Sequence, residues 1–508
     1  MLARVFSGAT VGLESVLIEV EVDVAKKGFP GLMIVGLPNK AIEEAKERVR
    51  SAIKNTGLKF PDGRITINLA PADLPKQGPA YDLPMALGLL MASGQIEKES
   101  VGRAMVLGEL SLDGSLRHTN GILPMAIMAK EKKLEQIFLP EIDASEAAIV
   151  SGIKVIALRS LKSLFNHLTG LQKIQPQPLI SFSQLLTEAV HEFDMKEIKG
   201  QEQAKRALEI CASGGHNLLM VGLPGAGKTL LARTLPSILP ALTENEALEV
   251  TKIYSISGRL ASGESIVKVR PFRSPHHTSS RIGLIGGGSQ PKPGEISLAH
   301  RGVLFLDEFP EFPRGVLEAL RQPLEDAVVT VSRAKGQAQF PAQFILVAAA
   351  NPCPCGHLGD PKKECQCSSS QISRYQKRVS GPIIDRIDLH LEVPAVQVEK
   401  LVSESQAESS SVIRKRVQKA RDRQIKRLEK TGLVCNAEMT NRQVKELCPL
   451  TTDCLRLLHQ AANQLGLSAR GYYKIIKIAR TIADLAGEQD ITTDYLAEAL
   501  QYRPKESI

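Results

Sequence analysis

The chain has 508 residues, which is too long for one hydrophobic core and predicts two to four domains. Hydrophobic residues make up 43% of the chain and charged residues 23%, proportions that argue against a disordered or fibrous protein. With 64 lysines and arginines against 55 aspartates and glutamates, the formal net charge of +9 fits either an anionic partner such as nucleic acid or a solvated surface.

The sequence has no apolar run of about 18 residues and no apolar signal core at its start, so we expect a cytoplasmic protein without a membrane span. Eight cysteines are too few for a disulfide scaffold in a chain of this length. Four of them fall within one short stretch, which fits a reducing compartment.

Residues 1–170 predict an α/β domain, in which alternating apolar and polar residues at 11–24 predict a strand at the edge of a core. Residues 171–190 predict a linker. The stretch 170–180 is polar, contains two prolines and has no hydrophobic period.

Residues 191–396 predict a domain built on a buried parallel sheet, with strands at 217–221, 302–306 and 343–350. The first strand leads into the sequence GLPGAGKT, whose glycines let backbone N–H groups surround phosphates before a helix begins. Lys228 would reach the β and γ phosphate oxygens, and Thr229 would bind Mg²⁺. The predicted nucleotide contacts are Gly222, Leu223, Pro224, Gly225, Ala226, Gly227, Lys228, Thr229 and Leu230.

The other two strands end in polar side chains at the same predicted edge of the sheet, where ligands of open α/β sheets bind. Asp307 would hold Mg²⁺ through water, while Glu308 would orient and polarise the attacking water. Asn351 follows the third strand and either senses the γ-phosphate or caps a turn.

Four cysteines follow in two Cys-x-Cys pairs, Cys353 with Cys355 and Cys365 with Cys367. Four thiolates this close in sequence can close a tetrahedral, structural Zn²⁺ site, with His357 as a substitute ligand. The alternative is a loop that carries four reduced thiols.

Residues 397–508 predict a helical lid. Its strongly basic stretch at 414–430 either tracks DNA or forms a solvated helix. Arg386 and Arg470 become catalytic only if the fold brings them to a γ-phosphate, either in the same chain or from a neighbour.

These motifs, together with RPFRSPHHT at 270–278 and NPCPCG at 351–356, resemble the magnesium-chelatase-like branch of the AAA+ ATPases. Within that branch the chain resembles the bacterial ComM/YifB family almost from end to end. The resemblance implies a P-loop AAA+ α/β core and a hexameric ring as the active form. It further implies Asn351 as sensor 1, Arg386 as the arginine finger acting in trans and Arg470 as sensor 2, with Arg374 and Arg378 as alternative fingers.

The same resemblance implies an ATP-hydrolysing helicase that drives branch migration during natural transformation. Its expected partners are single-stranded and branched DNA, other copies of itself and recombination proteins. Residues 328–336 resemble a pore hairpin in which Arg333 and Lys335 would pair with DNA phosphates, although a plain surface hairpin is an equal interpretation. Residues 258–294 resemble the insert such ATPases carry, and we interpret its His276–His277 pair as structural.

Residues 1–170 resemble the proteolytic domain of Lon proteases, a ribosomal S5 domain 2-like fold, and the similar domain of the repair protein RadA. Ala80 stands where Lon carries its nucleophilic serine, and residues 113–119 contain no lysine to act as the base. Covalent proteolysis therefore has no mechanism here, and we expect an assembly or DNA-contacting domain. An AAA+ protein remodeller and a metal-chelatase subunit remain alternatives, whereas Glu308 argues against a non-enzymatic scaffold.

Overall fold

The computed structural model describes residues 1–25, 29, 31–36, 40–72, 74, 76, 78–182, 191–261, 263–288, 291–333, 336–395 and 407–504. The chain forms two compact units. The N-terminal unit comprises Met1–Thr187 and Glu244–Lys268, and the second unit comprises Glu188–Thr243 and Val269–Ile508. Within the described ranges, no helix has the length and apolar character needed to cross a bilayer.

The N-terminal unit is built on a seven-stranded mixed sheet with the order β3-β4-β2-β1-β5-β8-β9, and β6 and β7 form a separate small ladder. The strands are β1 (Leu2–Val11), β2 (Glu14–Ala25), β3 (Gly31–Val35), β4 (Arg64–Ala70), β5 (Ala104–Val106), β6 (Glu109–Leu110), β7 (Leu116–Arg117), β8 (Gln136–Pro140) and β9 (Lys154–Leu158). The helices are Lys40–Asn55, Asp82–Ala92, Lys98–Val101, Ile122–Glu131, Ala144–Ala147, Leu161–Leu168 and Glu244–Ser257.

The strand expected at residues 11–24 is β2, and it lies inside the sheet. It pairs antiparallel with β1 on one side and with β4 on the other. Ile18, Val20 and Val22 point to one face and are fully buried, as the alternating sequence predicts. The helix Asp82–Ala92 is buried on every side because it packs on the sheet and is itself covered by Lys40–Asn55.

A segment expected within the nucleotide domain, residues 244–268, packs with the N-terminal unit. Ser255 Oγ donates a hydrogen bond of 2.6 Å to Glu146, and Gly121 N donates one of 3.2 Å to Ser255 O. Burial raises the pKa of Glu146 to about 7. The described start of the expected linker also belongs to this unit, since Gln177 N bonds to Val155 O at 2.8 Å. Residues 183–190 of that linker lie outside the described residues.

The second unit contains a five-stranded parallel sheet in the order β11-β14-β17-β10-β18. Its strands are β10 (Leu218–Gly222), β11 (Phe272–Arg273), β14 (Val303–Leu306), β17 (Ile345–Ala350) and β18 (Leu389–Val393), beside the short hairpins β12 (Gly286–Gly287) with β13 (Lys292–Pro293) and β15 (Val328–Arg333) with β16 (Gly336–Pro341). The helices of this unit that precede its C-terminal helical region are Glu202–Gly214, Lys228–Thr234, Arg281–Ile285, Glu295–Leu298, Arg314–Glu318, Arg321–Asp326, Ser369–Gln376 and Gly381–Ile384. The three predicted strands correspond to β10, β14 and β17.

The C-terminal region is helical, as expected, with helices at Ser410–Leu428, Asn441–Leu447, Thr452–Gln464, Ala469–Ala486 and Thr493–Gln501. The basic helix Ser410–Leu428 directs several arginines inward. Arg421 is buried and donates a hydrogen bond of 3.2 Å to Ser213 O, and Arg427 pairs with the buried Asp484 at 2.5 Å. Part of its positive charge therefore stabilises the packing of the helices, while Lys415 and Lys419 are exposed.

Candidate nucleotide site

The ends of β14, β17 and β10 meet at one edge of the parallel sheet. β17 lies between the other two strands, with Val221 opposite Ala350 and Leu306 opposite Ala348. Because the strands are parallel, the residues that follow them emerge side by side. The sequence therefore brings its three polar strand ends to one place.

The loop 223–227 links β10 to the helix Lys228–Thr234, whose third residue is Leu230. Gly225 and Gly227 have φ of +77° and +86°, a region that favours glycine, and a Cβ at either would meet no atom within 4 Å. The backbone therefore turns through two left-handed glycines directly before the start of the helix, where backbone N–H groups can point at a phosphate.

Lys228 lies across this loop. Its Nζ donates hydrogen bonds to Gly222 O at 2.6 Å, Leu223 O at 3.0 Å and Asn351 Oδ1 at 3.1 Å. Burial lowers the pKa of the ammonium group, and the nearby Asp307 opposes this effect. Two of the predicted residues, Lys228 and Asn351, are thus in direct contact.

Thr229 and Asp307 form the second contact at this edge. Thr229 Oγ1 donates a hydrogen bond of 2.7 Å to Asp307 Oδ2. The hydroxyl and the carboxylate come from the helix and from the end of β14, and both are hard oxygen ligands of the kind Mg²⁺ prefers. The pair therefore has the donor set expected of a magnesium site.

Glu308 stands apart from these four side chains. Its φ is +50°, which is uncommon for a residue with a Cβ, and its Oε2 lies 3.0 Å from His277 Nδ1. In the described part of the chain its carboxylate makes no hydrogen bond or ion pair with Lys228 or Thr229. The sequence did not identify His277 as a partner, although it singled out the histidine pair.

The four cysteines lie together directly beyond Asn351. Their sulfur atoms are all within 4.8 Å of one another, and the closest Sγ–Sγ distances are 3.4 Å, 3.6 Å and 3.7 Å. A tetrahedron with Zn–S bonds of about 2.3 Å has edges of about 3.8 Å, whereas a disulfide requires about 2.05 Å. All four thiols are free, so their spacing suits a shared metal ion better than a bond between two of them. His357 instead pairs with Asp360 at 3.1 Å.

The cysteine loop also touches the phosphate loop. A Cβ added to Gly356 would lie 2.5 Å from Cγ and 2.9 Å from Cδ of Pro224. A cavity of about 1560 Å³ is lined by residues of both loops, among them Gly222, Leu223 and Gly359. The two loops are therefore immediate neighbours.

The predicted arginines are placed around acidic residues of the same chain. Arg386 Nη2 forms an ion pair with Glu325, and Arg470 bonds to Glu325 at 3.1 Å and to Asp385 at 3.0 Å. The Arg386 guanidinium lowers the pKa of Glu325. Glu325 thus brings Arg386 and Arg470 together, but the described contacts join neither arginine to Lys228.

The alternative finger residues lie on and just after the helix Ser369–Gln376. Arg378 pairs with Glu311 at 2.5 Å and lies over the Tyr375 ring, with its guanidinium carbon 5.9 Å from the centroid. Arg374 is exposed on the helix itself. These contacts do not single out one of Arg374, Arg378 and Arg386 as the finger.

One of the two expected DNA contacts, Arg333, is the last residue of β15. The hairpin forms as predicted, with Arg333 opposite Gly336 at its end. Lys335 lies outside the described residues, as does the side chain of Arg333. In the N-terminal unit, Ala80 lies in a short turn and its carbonyl accepts a hydrogen bond of 3.1 Å from Gly108 N.

Three family descriptions match consecutive parts of the chain. Residues 20–143 match "Subunit ChlI of Mg-chelatase", residues 194–401 match "Magnesium chelatase, subunit ChlI", and residues 407–503 match "Magnesium chelatase, subunit ChlI C-terminal".

Some curated relatives match almost the full length of the chain, and others match one part of it. The competence protein ComM of Haemophilus influenzae is 44% identical over 504 residues, which cover 99% of this chain and 97% of ComM. The uncharacterized protein YifB of Escherichia coli is 42% identical over 508 residues, with the same two coverages. Lon protease 2 of Bacillus subtilis is 28% identical over 170 residues, which cover 32% of this chain and 31% of the protease.

Proposed function

This chain belongs to the ComM/YifB family of magnesium-chelatase-like AAA+ ATPases, and from that membership we propose that it is an ATP-driven, ring-forming DNA motor that drives branch migration during natural transformation. The observation that carries the proposal is the meeting of Lys228, Thr229, Asp307 and Asn351 at one sheet edge. The relative named as a competence protein supports the biological setting, and the net charge of +9 suits a polyanionic partner.

ATP and Mg²⁺ are the ligands that the AAA+ family implies. The residues present fit both, because two left-handed glycines turn the loop directly before a helix start and the Thr229–Asp307 pair offers two oxygen ligands. Bound Mg²⁺ would neutralise charge that develops on the β and γ phosphate oxygens.

The roles of the side chains follow from their positions. Lys228 would exchange its bonds to Gly222 O and Leu223 O for phosphate oxygens, while Asn351 keeps its contact with the lysine and faces the γ-phosphate. Glu308 would accept a hydrogen bond from the attacking water and orient it for in-line displacement.

We assign Arg386 as the finger acting in trans and Arg470 as sensor 2, the roles that the family resemblance implies, and both guanidinium groups pair with Glu325 in this chain. A neighbouring copy in a homo-hexameric ring would receive Arg386 at its γ-phosphate, where a planar cation stabilises spreading charge. Arg374 and Arg378 are the alternatives. Arg333 and Lys335 are the proposed DNA contacts.

We also propose that Cys353, Cys355, Cys365 and Cys367 hold a structural Zn²⁺. The support is the near-tetrahedral spacing of four free sulfurs. Four protein ligands would leave no open position, so the metal would fix the loop without taking part in the chemistry.

A metal-chelatase subunit is the second candidate, because all three matching family descriptions carry that name. The two functions differ in the ligand that stimulates hydrolysis. A DNA motor couples ATP turnover to a DNA strand, whereas a chelatase subunit responds to its protein partners.

The test is steady-state ATP hydrolysis by the full chain and by Glu308→Gln, each with and without single-stranded and branched DNA, with particle size measured by gel filtration. We expect DNA to stimulate hydrolysis, the substitution to abolish it, and ATP with DNA to yield a ring-sized species that displaces strands. Hydrolysis that is indifferent to DNA would reject the DNA motor and favour the chelatase or protein-remodeller alternative.

A further inference from the structure

The backbone around Arg386 is held by a lysine of the C-terminal helical region. We call residues 385–388 the finger segment. Lys474 Nζ donates hydrogen bonds to Asp385 O at 2.7 Å and to Ile387 O at 2.9 Å. One side chain therefore binds the carbonyl groups of the residues directly before and directly after the arginine.

Lys474 makes these contacts in a largely covered position. Its side chain is 15% exposed, and its Nζ also lies 3.3 Å from Oδ1 of Asp388, the last residue of the finger segment. Burial lowers the pKa of the ammonium group, and the Asp388 carboxylate opposes this effect. An ammonium group has three donors, and here they face three oxygen atoms of the same short segment. Moving the segment away would leave these donors and acceptors unpaired in the interior, which is unfavourable.

The remaining carbonyl beside these contacts is held by the sheet. Asn217 directly precedes β10, and its Nδ2 donates a hydrogen bond of 3.2 Å to Arg386 O. The backbone N of Asn217 donates to Asp388 Oδ2 at 3.0 Å, while Asn217 Oδ1 accepts a bond of 2.8 Å from Leu346 N in β17. The backbone that presents Arg386 is thus fixed both to the sheet and, through Lys474, to the C-terminal helical region.

Lys474 is the covered link between the finger segment and the helix Ala469–Ala486, which we call the lid helix. Arg470 of the same helix also reaches the finger segment, with an ion pair of 3.0 Å to Asp385. Those two side chains are 42% and 40% exposed, and exposed ion pairs contribute little because solvent screens them. We therefore expect the bonds of Lys474, rather than this pair, to hold the two elements together.

We propose that Lys474 is a positioning residue that locks the finger segment to the lid helix and so fixes the direction in which Arg386 is presented to a neighbouring copy. This inference rests on the proposed role of Arg386 as the finger acting in trans. Lys474 acts through backbone carbonyl groups and does not touch the reacting atoms. Its effect is large because a displacement of about 1 Å near reacting groups can cost about 10²-fold in rate.

The experiment mixes two full-length variants with complementary defects in the presence of ATP and single-stranded DNA. Glu308→Gln lacks the carboxylate for hydrolysis but keeps Arg386, whereas Arg386→Ala keeps an intact nucleotide site and lacks the finger. In a mixed ring the second variant would receive a finger from the first, so we expect hydrolysis to return. Adding Lys474→Met to the Glu308→Gln chain should lower the restored kcat about 10- to 100-fold. The KM for ATP should stay constant, because the hydrolysing chain keeps its own nucleotide site.

Lys477→Met in the Glu308→Gln chain is the matched control. Burial also lowers the pKa of Lys477 on the same helix, but its Nζ donates a hydrogen bond of 2.9 Å to Ala437 O, outside the finger segment. This chain should restore hydrolysis as fully as Glu308→Gln alone. Gel filtration and chemical denaturation first check that each chain folds and enters a ring. If Lys474→Met does not fold, Lys474→Gln takes its place, since its shorter side chain keeps donors but loses the charge, and it should lower the restored kcat at least about threefold.

Equal restoration by chains with and without the change at Lys474 would overturn the inference, and so would an equal loss with Lys477→Met. A different result rejects the role on which the inference rests. If Glu308→Gln and Arg386→Ala together give no hydrolysis although they form rings, Arg386 is not the finger, and the inference falls with that assignment. Hydrolysis by Glu308→Gln alone would instead reject the proposed role of Glu308.

Discussion

Gly356→Ala tests whether the cysteine loop controls the geometry of the phosphate loop. The added Cβ would lie 2.5 Å from Pro224 Cγ, while an ordinary carbon–carbon contact is about 3.5 Å or more. One of the two loops must therefore move by about 1 Å, and a displacement of that size near reacting groups can cost about 10²-fold in rate. We expect kcat/KM for ATP to fall by about 10- to 100-fold.

The cysteine loop contains a second glycine, Gly359, that serves as a control position. Gly359 has φ of +79°, close to the +83° of Gly356, but a Cβ there would meet nothing within 4 Å. Both alanine variants should lose about 1–2 kcal/mol of stability from left-handed backbone strain, measured by chemical denaturation. Only Gly356→Ala should lose ATP hydrolysis, and equal hydrolysis by the two variants would refute the proposed contact.

Three further predictions concern other parts of the molecule. Cys365→Ser should reduce bound zinc from about one ion per chain to a small fraction, measured by elemental analysis of the purified protein. The hydrogen bond to Asp143 raises the pKa of His118 from 6.5 to about 9, so this pair stabilises the fold fully below pH 6.5 and loses its contribution as the pH rises through about 9. The melting temperature should therefore fall more steeply over this range in the wild type than in His118→Asn. Arg421→Ala removes the buried hydrogen bonds to Ala212 O and Ser213 O, of which Ser213 O keeps Gln424 Nε2 as a donor, and should cost about 1–3 kcal/mol in chemical denaturation.

Each of these predictions has either a control variant or a stated result that would contradict it. Cys454→Ser removes a buried thiol outside the cluster and should retain zinc. Lys419→Ala removes an exposed charge from the same basic helix and should change stability by no more than about 0.5 kcal/mol. Parallel pH profiles of the wild type and His118→Asn would show that the pair does not contribute to stability.

The sequence predicts the sheet edge well because its signals are local. An apolar run followed by glycines or carboxylates identifies both a strand and the residues at its end, and Lys228, Asp307 and Asn351 lie where this pattern places them. The hairpin of β15 and β16 and the lid helices are local patterns of the same kind.

Contacts between segments that are distant in the chain could not be predicted from such local patterns. His277 and Glu308 are 31 positions apart, and nothing in either motif specifies that an imidazole meets a carboxylate. The same limit applies to Glu325, which sits 61 and 145 positions from the two arginines it pairs with. Residues 244–268 carry no composition shift that separates them from the nucleotide domain, yet they pack with the N-terminal unit.

The side chains proposed for catalysis share one property, which is that each is held by a partner within the chain. Lys228 bonds to Gly222 O, Glu308 is held by His277, and Arg386 is paired with Glu325. Each contact with the nucleotide or with a neighbouring subunit must then replace a contact within the chain. Only the difference in free energy between the new contact and the old one favours the exchange. Removing a functional group should therefore lower hydrolysis, whereas removing its internal partner should raise hydrolysis or shift the condition that triggers it. If the partner merely supported the fold, removing it would lower ATP hydrolysis, as removing the functional group does. Opposite effects of the two variants on hydrolysis would therefore show that the partner regulates the functional group.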